Sequence, residues 1–257
     1  MSLPAAGAVK YITAMETIVL PLEAGASFNF DCHPKVPCFN ACCGNLSQVL
    51  TPYDIICLKN HLGCSSGQFL ERYAMVYSGP ATGLPVASLR FDRRRGGLCP
   101  FVGPEGCTVY PARPGSCRLY PLARGAALDP GGKPREHWAL IKEPHCRGHE
   151  SSRTRTIDQW IRDQGLEDYL EFNDLLLEII SLRNKSGGRP LAGDRRRSFV
   201  TAAYDLDRFR AQVLDGTRNC GPEVAEKVAA AGASDTDCLK VALRWLRREM
   251  GGLHHGS

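Results

Sequence analysis

The stretch DCHPKVPCFNACCG, residues 31–44, places four cysteines within fourteen residues. Cysteine thiolates coordinate zinc and iron, and a C-x2–4-C spacing can bring two of them to one metal ion. Cys38 stands at this spacing from both Cys42 and Cys43. The residue types and their spacing therefore predict a metal site, with Cys32 as a further ligand.

Four later cysteines stand singly in the sequence. Proline and glycine are dense around the first three of them, in GGLCPFVGPEGCTVYPARPGSCRLYPL, and the fourth follows in PHCRG. Such a segment cannot form long regular elements, but metal binding can supply folding free energy directly. Eight cysteines would satisfy two four-thiolate sites, or one iron–sulfur cluster with spare thiols. The four singles are Cys99, Cys107, Cys117 and Cys146.

The adjacent pair Cys42 and Cys43 poses a geometric problem. Neighbouring side chains diverge in a strand and lie about 100° apart in a helix, so binding one ion through both thiols is awkward. The pair could serve different metal atoms of one cluster, or two separate sites. In a third alternative, one of the two is a packed, inert thiol.

The remaining cysteines and two histidines are weaker candidates. Cys57 lies among apolar residues in the middle of a predicted helix, which indicates core packing. His33 and His145 are alternative ligands, but the cysteine beside each of them already occupies the expected ligand position. Three further cysteines at helix ends or turns are read as incidental: Cys64, Cys220 and Cys238.

Two arginines flank Cys117 closely. Arg113 and Arg118 are predicted to bind a cofactor or an anionic substrate near the metal. In the alternative, they donate charge-assisted hydrogen bonds to carbonyl groups or thiolates and balance the anionic sulfur. A metal-dependent enzyme would also place Tyr110 near the centre, but the sequence indicates no catalytic residue.

Regular elements are predicted within the cysteine-rich region. In TPYDIICLKNHLG, Thr51 is the N-cap of a helix that ends at Gly63. Ser65 and Gln68 have the spacing of a capping box and predict a second helix over SSGQFLERYAMVY. The alternating sequence HWALIKE, residues 137–143, predicts a strand.

The second half of the chain has a helical pattern. Apolar residues recur at helical spacing after Cys146, with one break near Gly165, and three more helices are predicted in the tail. We therefore expect an α+β fold: an irregular cysteine-rich metal-binding core with few short strands, followed by a mainly helical C-terminal half. The expected parts are a core at 28–150, a helical hairpin packed on it at 151–183, a Gly/Arg-rich loop at 184–198 and a C-terminal helical extension at 199–250.

The helices of that extension carry apolar positions that must pack on another part of the molecule, because isolated short helices are marginal in water. We expect them to fold back over the cysteine core. There they would form a lid that shields a metal cluster from solvent and oxygen.

Composition limits the cellular setting. The 257 residues carry a formal net charge of +5, and the N-terminus lacks the features of a secretory signal peptide. No apolar run approaches the roughly 18 residues of a membrane span. We expect a soluble, cytoplasmic protein, where clustered cysteines bind metal rather than form disulfides. The arginine runs at 93–95 and 195–197 are read as solvated surface, and nucleic-acid binding is not expected because no stacking-aromatic motif accompanies them.

Taken together, the ACCG cluster, the LTPYDIICLKNHLG helix, FLERY, LCPFVGPEGCTVYPARPGSCRLYPL and PHCRG resemble the YkgJ-type cysteine-cluster family, the CxxCxxCC zinc- or iron-chelating domain. The resemblance covers about residues 28–182. Its first cysteines differ from the family's usual C-x2-C-x2-CC spacing. A similar cluster occurs in bacterial flagellin lysine methylases, which carry an iron–sulfur centre, so the resemblance favours iron over zinc.

Three functions are compatible with these features. The first is an iron–sulfur protein with a [4Fe–4S] cluster that transfers electrons or supports a modifying enzyme. The second is a zinc-stabilised interaction module with structural four-cysteine sites. The third is a metal-dependent enzyme, such as a protein methyltransferase. An unidentified protein partner is expected for the first two.

Overall fold

The computed structural model describes residues 17–44, 46–91, 96–185 and 187–251, so the arginine run at 93–95 lies outside the described residues. Within these ranges the strands are β1 (Ile18–Leu22), β2 (Ser27–Asn29), β3 (Val49–Leu50), β4 (Ala74–Ser78), β5 (Pro85–Leu89), β6 (Val102–Gly103), β7 (Gly106–Cys107), β8 (Leu122–Leu128), β9 (Pro134–Lys142) and β10 (Thr154–Thr156). The α-helices are α1 (Pro52–Leu62), α2 (Ser66–Tyr73), α3 (Gly115–Leu119), α4 (Ile157–Gln164), α5 (Glu167–Lys185), α6 (Gly193–Tyr204), α7 (Leu206–Leu214), α8 (Pro222–Ala231) and α9 (Asp235–Gly251).

The strands form small antiparallel sheets. One sheet has the order β1-β9-β8 and another the order β3-β5-β4, while β10 pairs with β2 and β6 pairs with β7. The predicted strand at 137–143 corresponds to β9, which pairs on both sides. Helices make up 47% of the structure and strands 20%, and the strands lie in short sheets. The fold is α+β, with a cysteine-rich N-terminal part and a helical C-terminal half, as expected.

Helix α1 begins and ends as predicted. The Thr51 hydroxyl accepts a hydrogen bond from the Asp54 backbone N–H, and the Asp54 carboxylate accepts one from the Thr51 backbone N–H. Gly63 closes the helix in the left-handed conformation, with φ of 62°. Tyr53 stacks on Phe172 of α5 with ring centroids 4.5 Å apart, so α1 lies in the core rather than on the surface.

Helix α2 is shorter than the sequence pattern predicts. Ser65 and Gln68 form the predicted capping box, but the helix ends at Tyr73, and the following AMVY segment belongs to β4. The expected continuation of the helix is therefore wrong. The segment is extended because it pairs in register with β5, from Ala74 opposite Leu89 to Ser78 opposite Pro85.

The predicted loop at 184–198 is also too long. Helix α5 continues to Lys185, and α6 begins at Gly193. A helix forms here because its later turns bury Phe199 against the core, and tertiary packing outweighs the Gly- and Arg-rich composition. Arg196 additionally donates a 3.0 Å hydrogen bond to the carbonyl oxygen of Val76.

The C-terminal helices pack against α1, α2, α5 and β5. A charged cluster joins them to α1: Nζ of Lys59 lies 2.8 Å from Asp235 and 3.1 Å from Asp207. The Lys59 side chain is only 7% exposed, so both carboxylates compensate a buried charge. The core continues through this half in Phe209, Leu239 and neighbouring apolar residues.

None of the described helices is long and apolar enough to cross a lipid bilayer.

Candidate metal centre

One cavity of about 360 Å³ collects the cysteines that the sequence singled out. Its wall is largely apolar and includes Val36, Phe39, Phe101 and Val109. All twelve cysteines of the chain are free thiols. Those that line this cavity are the eight predicted ligands: Cys32, Cys38, Cys42, Cys43, Cys99, Cys107, Cys117 and Cys146.

The adjacent thiols lie on a short 3-10 helix, Ala41–Cys43. Asn40 precedes it in the left-handed conformation, with φ of 68°, and its side-chain amide donates to the carbonyl oxygen of Gly103 at 3.4 Å. Successive side chains of a 3-10 helix, with three residues per turn, point about 120° apart. The side chains of Cys42 and Cys43 therefore leave the helix in different directions, although their thiols remain close enough to interact.

The segment around Cys99 lies directly against Cys43. The backbone N–H of Cys99 donates to the carbonyl oxygen of Cys43 at 2.8 Å, and an isolated bridge pairs Gly44 with Leu98. The β6–β7 hairpin then returns the chain, so that Cys107 pairs with Val102. This turn brings the thiol of Cys107 close enough to interact with that of Cys99.

Cys117 is held by contacts of helix α3 with α1 and with the segment before β3. The backbone N–H of Gly115 donates to Oδ1 of Asp54 at 2.7 Å. A Cβ at Gly115 would lie 2.9 Å from the ring of Tyr169, so only glycine fits this approach. Sγ of Cys117 lies 3.6 Å from the side-chain carbonyl oxygen of Gln48.

Cys146 and the first cysteines are joined through main-chain hydrogen bonds. The backbone N–H of Arg147 donates to Sγ of Cys38 at 3.1 Å. One residue further, the carbonyl oxygen of Gly148 accepts from the backbone N–H of Asp31 at 3.1 Å. Asp31 directly precedes Cys32 and Gly148 lies two residues after Cys146, so the hydrogen bond between Asp31 and Gly148 holds these two cysteine segments together.

Burial and mutual repulsion raise the pKa values of most of these thiols. Burial, then the nearby thiols of Cys42 and Cys38, raises the pKa of Cys32 to about 11. Burial, then Cys99, raises the pKa of Cys117 to about 12. Burial also raises the pKa values of Cys99, Cys107 and Cys146. A bound cation would remove this repulsion, because an opposite charge favours the thiolate.

The thiols of Cys42 and Cys43 share a hydrogen bond, which shifts their two pKa values in opposite directions. It lowers the pKa of Cys42 and raises the pKa of Cys43.

The thiols surround the cavity rather than converge on one point. Among the described residues, no three histidine, cysteine, aspartate or glutamate side chains already form a group that could hold a metal ion. What the fold brings together is a donor set of thiols around a common space. That donor set fits the soft metals zinc and iron.

The two histidines and the four remaining cysteines differ in their position relative to the cavity. His145 lines the cavity, with Nε2 3.7 Å from a carboxylate oxygen of Glu143, whereas His33 is not among the lining residues. Cys57 is partly buried against the core, as predicted, and hydrogen-bonds with Tyr169 and Tyr53. The three cysteines read as incidental do not line the cavity, although Cys238 is fully buried in the C-terminal core: Cys64, Cys220 and Cys238.

The two predicted arginines have different surroundings. Arg113 lines the cavity and stacks over the ring of Tyr110 at 3.9 Å. Arg118 is not among the lining residues. Its guanidinium donates to the carbonyl oxygens of Gln164, at 2.7 Å, and of Pro111. These contacts of Arg118 agree with the alternative hypothesis from the sequence, in which the arginine donates charge-assisted hydrogen bonds to carbonyl groups.

Sequence reasoning missed several polar residues of the cavity wall. Glu143 precedes Cys146 by three residues, a spacing that could have drawn attention to it, and Asp31 directly precedes Cys32. Gln48 carries no local signal, because only the fold brings it to Cys117.

The lid expected from the C-terminal helices is wrong for the described residues. The last residue along the chain that lines the cavity is Gln164, so α6 to α9 contribute no part of its wall. These helices cover α1, α2 and β5 instead, because the apolar faces that they bury belong to the core.

Comparison with known proteins identifies the cysteine-rich part. Residues 31–152 match the CxxCxxCC family model, described as "Putative zinc- or iron-chelating domain". No curated protein and no solved structure matches the chain. The match contains all eight lining thiols, and the YkgJ-type label fits the same family. Residues 31–152 are therefore similar to the CxxCxxCC family, whose domain is described as zinc- or iron-chelating.

Proposed function

We propose that the protein is an iron–sulfur protein whose cysteine cavity holds a [4Fe–4S] centre. The observation that carries this proposal is that eight thiols line one cavity of about 360 Å³. A tetrahedral zinc ion draws four sulfurs to about 2.3 Å from a single point. A polynuclear cluster is larger and needs thiolates spread around a space.

Backbone hydrogen bonds to sulfur support the same proposal. The N–H of Arg147 donates to Cys38 at 3.1 Å. Backbone groups of Phe101 and Val102 also interact with the Cys99 thiol, and those of Val109 with the Cys107 thiol. Such bonds stabilise thiolate ligands and tune the potentials of iron–sulfur clusters.

The proposed role is electron transfer or support of a modifying enzyme, and both need a protein partner. An exposed apolar edge supports such a partner: Ile18, Val19 and Leu20 of β1 are 53%, 58% and 40% exposed. Contiguous exposed apolar residues of this kind are typical of interaction sites. The cysteine core at 28–150 would carry the centre, and the helical hairpin at 151–183 and the extension at 199–250 would act as its scaffold.

A structural zinc module is the second candidate. The donor set consists of thiols, which are also the ligands of four-cysteine zinc sites, and the family description includes zinc. In this function the metal would stabilise the loops at Cys99, Cys107 and Cys117, and the protein would act through its surface.

Purification without oxygen from iron-replete cells distinguishes the two metals. An iron–sulfur protein is brown and absorbs broadly at roughly 400 nm, with about four irons and as many acid-labile sulfides per cluster. Colourless protein that contains zinc in place of iron would overturn the iron proposal and support the zinc module.

A further inference from the structure

We infer that the eight thiols form two adjacent four-cysteine centres, with Cys42 in one and Cys43 in the other. This inference rests on the proposed function, because it requires that the thiols bind metal, but it does not depend on which metal. The first centre comprises Cys32, Cys38, Cys42 and Cys146. The second comprises Cys43, Cys99, Cys107 and Cys117.

The first group is held together by the segment that follows β9. The Arg147 N–H to Cys38 Sγ hydrogen bond of 3.1 Å places the chain at Cys146 against Cys38. The Asp31 N–H to Gly148 carbonyl hydrogen bond of 3.1 Å does the same for Cys32. The thiol of Cys32 interacts electrostatically with those of Cys42, Cys38 and Cys146, which are the other three members of its group.

The second group is held together by the β6–β7 hairpin and α3. The 2.8 Å hydrogen bond from the Cys99 N–H to the Cys43 carbonyl aligns these two residues, and the hairpin returns Cys107 beside Cys99. The Cys43 thiol interacts with those of Cys99 and Cys117 as well as with its neighbour Cys42. The Cys117 thiol in turn interacts with Cys99 and Cys107.

The two groups meet at the peptide bond between Cys42 and Cys43. Divergence of successive side chains on the 3-10 helix sends one thiol to each group. Besides the contact between Cys42 and Cys43, the thiol of Cys117 interacts with that of Cys42 across the boundary. This interaction is weaker than those of Cys117 with Cys99 and Cys107. The adjacent cysteines, which chelate one ion poorly, are thus suited to connect two neighbouring centres.

Metal stoichiometry of single serine variants tests the division into groups. Cys38→Ser should lose the first centre and Cys99→Ser the second, so that each retains about half of the wild-type metal, and the double variant should retain none. Cys146→Ser and Cys107→Ser repeat the test if the first variants do not fold. Cys57→Ser is the matched control, because this thiol lies outside the cavity wall, and it should retain the wild-type content.

A measurement on the unmodified chain keeps the inference falsifiable if every variant misfolds. Two centres correspond to about eight irons per chain for [4Fe–4S] clusters or about two zincs. If the wild-type protein holds only about four irons or one zinc, or if one serine variant removes all metal, the two-centre inference is wrong and metal binding stands. Wild-type protein that binds no metal would instead overturn the proposed function itself.

Discussion

The backbone N–H of Arg147 donates a 3.1 Å hydrogen bond to Sγ of Cys38, although 109 positions separate the two residues in the chain. The bond directs a partial positive charge at a sulfur atom that is a proposed metal ligand. It also fixes the distance between the first cysteine cluster and Cys146. The contact depends on close packing of the neighbouring backbone, where Gly148 lies against Phe30 and Asp31.

Gly148→Ala should therefore disturb the cavity without removing a thiol. A Cβ at this position would lie 2.5 Å from the Phe30 ring and 2.6 Å from the Asp31 carbonyl oxygen, so the chain must shift away from Cys32. We expect a lower metal content, measured by metal analysis of folded protein. Gly125→Ala is the control, because its Cβ would meet only ordinary contacts at 3.8 Å or more. Equal metal contents in the two variants would contradict the prediction.

Serine variants of Cys57 and Cys107 should separate core packing from metal binding. Cys107→Ser should lower metal content and solubility together, because the β6–β7 loop loses the centre that stabilises it. Cys57→Ser should keep the wild-type metal content and cost about 1–3 kcal/mol of unfolding free energy, as a polar group enters a partly buried position. Equal loss of metal in both variants would mean that Cys57 is a ligand.

Removal of the Arg118 side chain should lower stability more than removal of Arg113. The Arg118 guanidinium binds three carbonyl groups, those of Pro111, Arg113 and Gln164, and each hydrogen bond to a charged group contributes about 1.5–3 kcal/mol. We expect Arg118→Ala to cost at least about 2 kcal/mol of unfolding free energy in urea denaturation.

Arg197→Ala controls for the general loss of an arginine, because Arg197 is 73% exposed and pairs with Asp194, which is 93% exposed. If Arg118→Ala unfolds like the wild type but binds metal more weakly, Arg118 acts on the cofactor and not on the loop.

The cluster of Lys59, Asp207 and Asp235 should make attachment of the C-terminal helices sensitive to acid. Burial raises the pKa of Asp235, but hydrogen bonds from Lys59, Asn60 and Arg210 outweigh burial and hold this pKa below its ordinary value. A depressed carboxyl pKa contributes stability above the unfolded-state value, near 4, and this stability is lost as the pH falls through the folded-state pKa.

Asp235→Asn should remove that part of the acid dependence. At neutral pH the variant should lose about 3 kcal/mol or less, because buried Lys59 keeps only Asp207. Thermal unfolding across pH 3 to 7 measures both effects. Glu223→Gln, on an exposed ion pair, should change stability little. Parallel pH profiles of Asp235→Asn and the wild type would show that the cluster contributes no pH-dependent stability.

Local signals sufficed for part of this protein. The Thr51 cap and the Gly63 terminus depend on residues next to each other in the chain, so α1 could be predicted from its own sequence. The eight cavity thiols were recognisable from residue type, because cysteines clustered in loop-rich segments predict metal ligands. The break between α4 and α5 at Gly165 follows from the same local rule of helix termination.

Contacts between distant segments decided the rest. The residues of β4 are extended only because β5 pairs with them, and α6 begins within a Gly- and Arg-rich segment because Phe199 is buried. The C-terminal helices cover α1 and not the cavity, because their apolar residues are buried in the core that they share with α1. The grouping of the thiols depends on hydrogen bonds such as those from Arg147 to Cys38 and from Cys99 to Cys43. Spacing along a chain shows which thiols can share a metal, but only tertiary packing determines which of them meet.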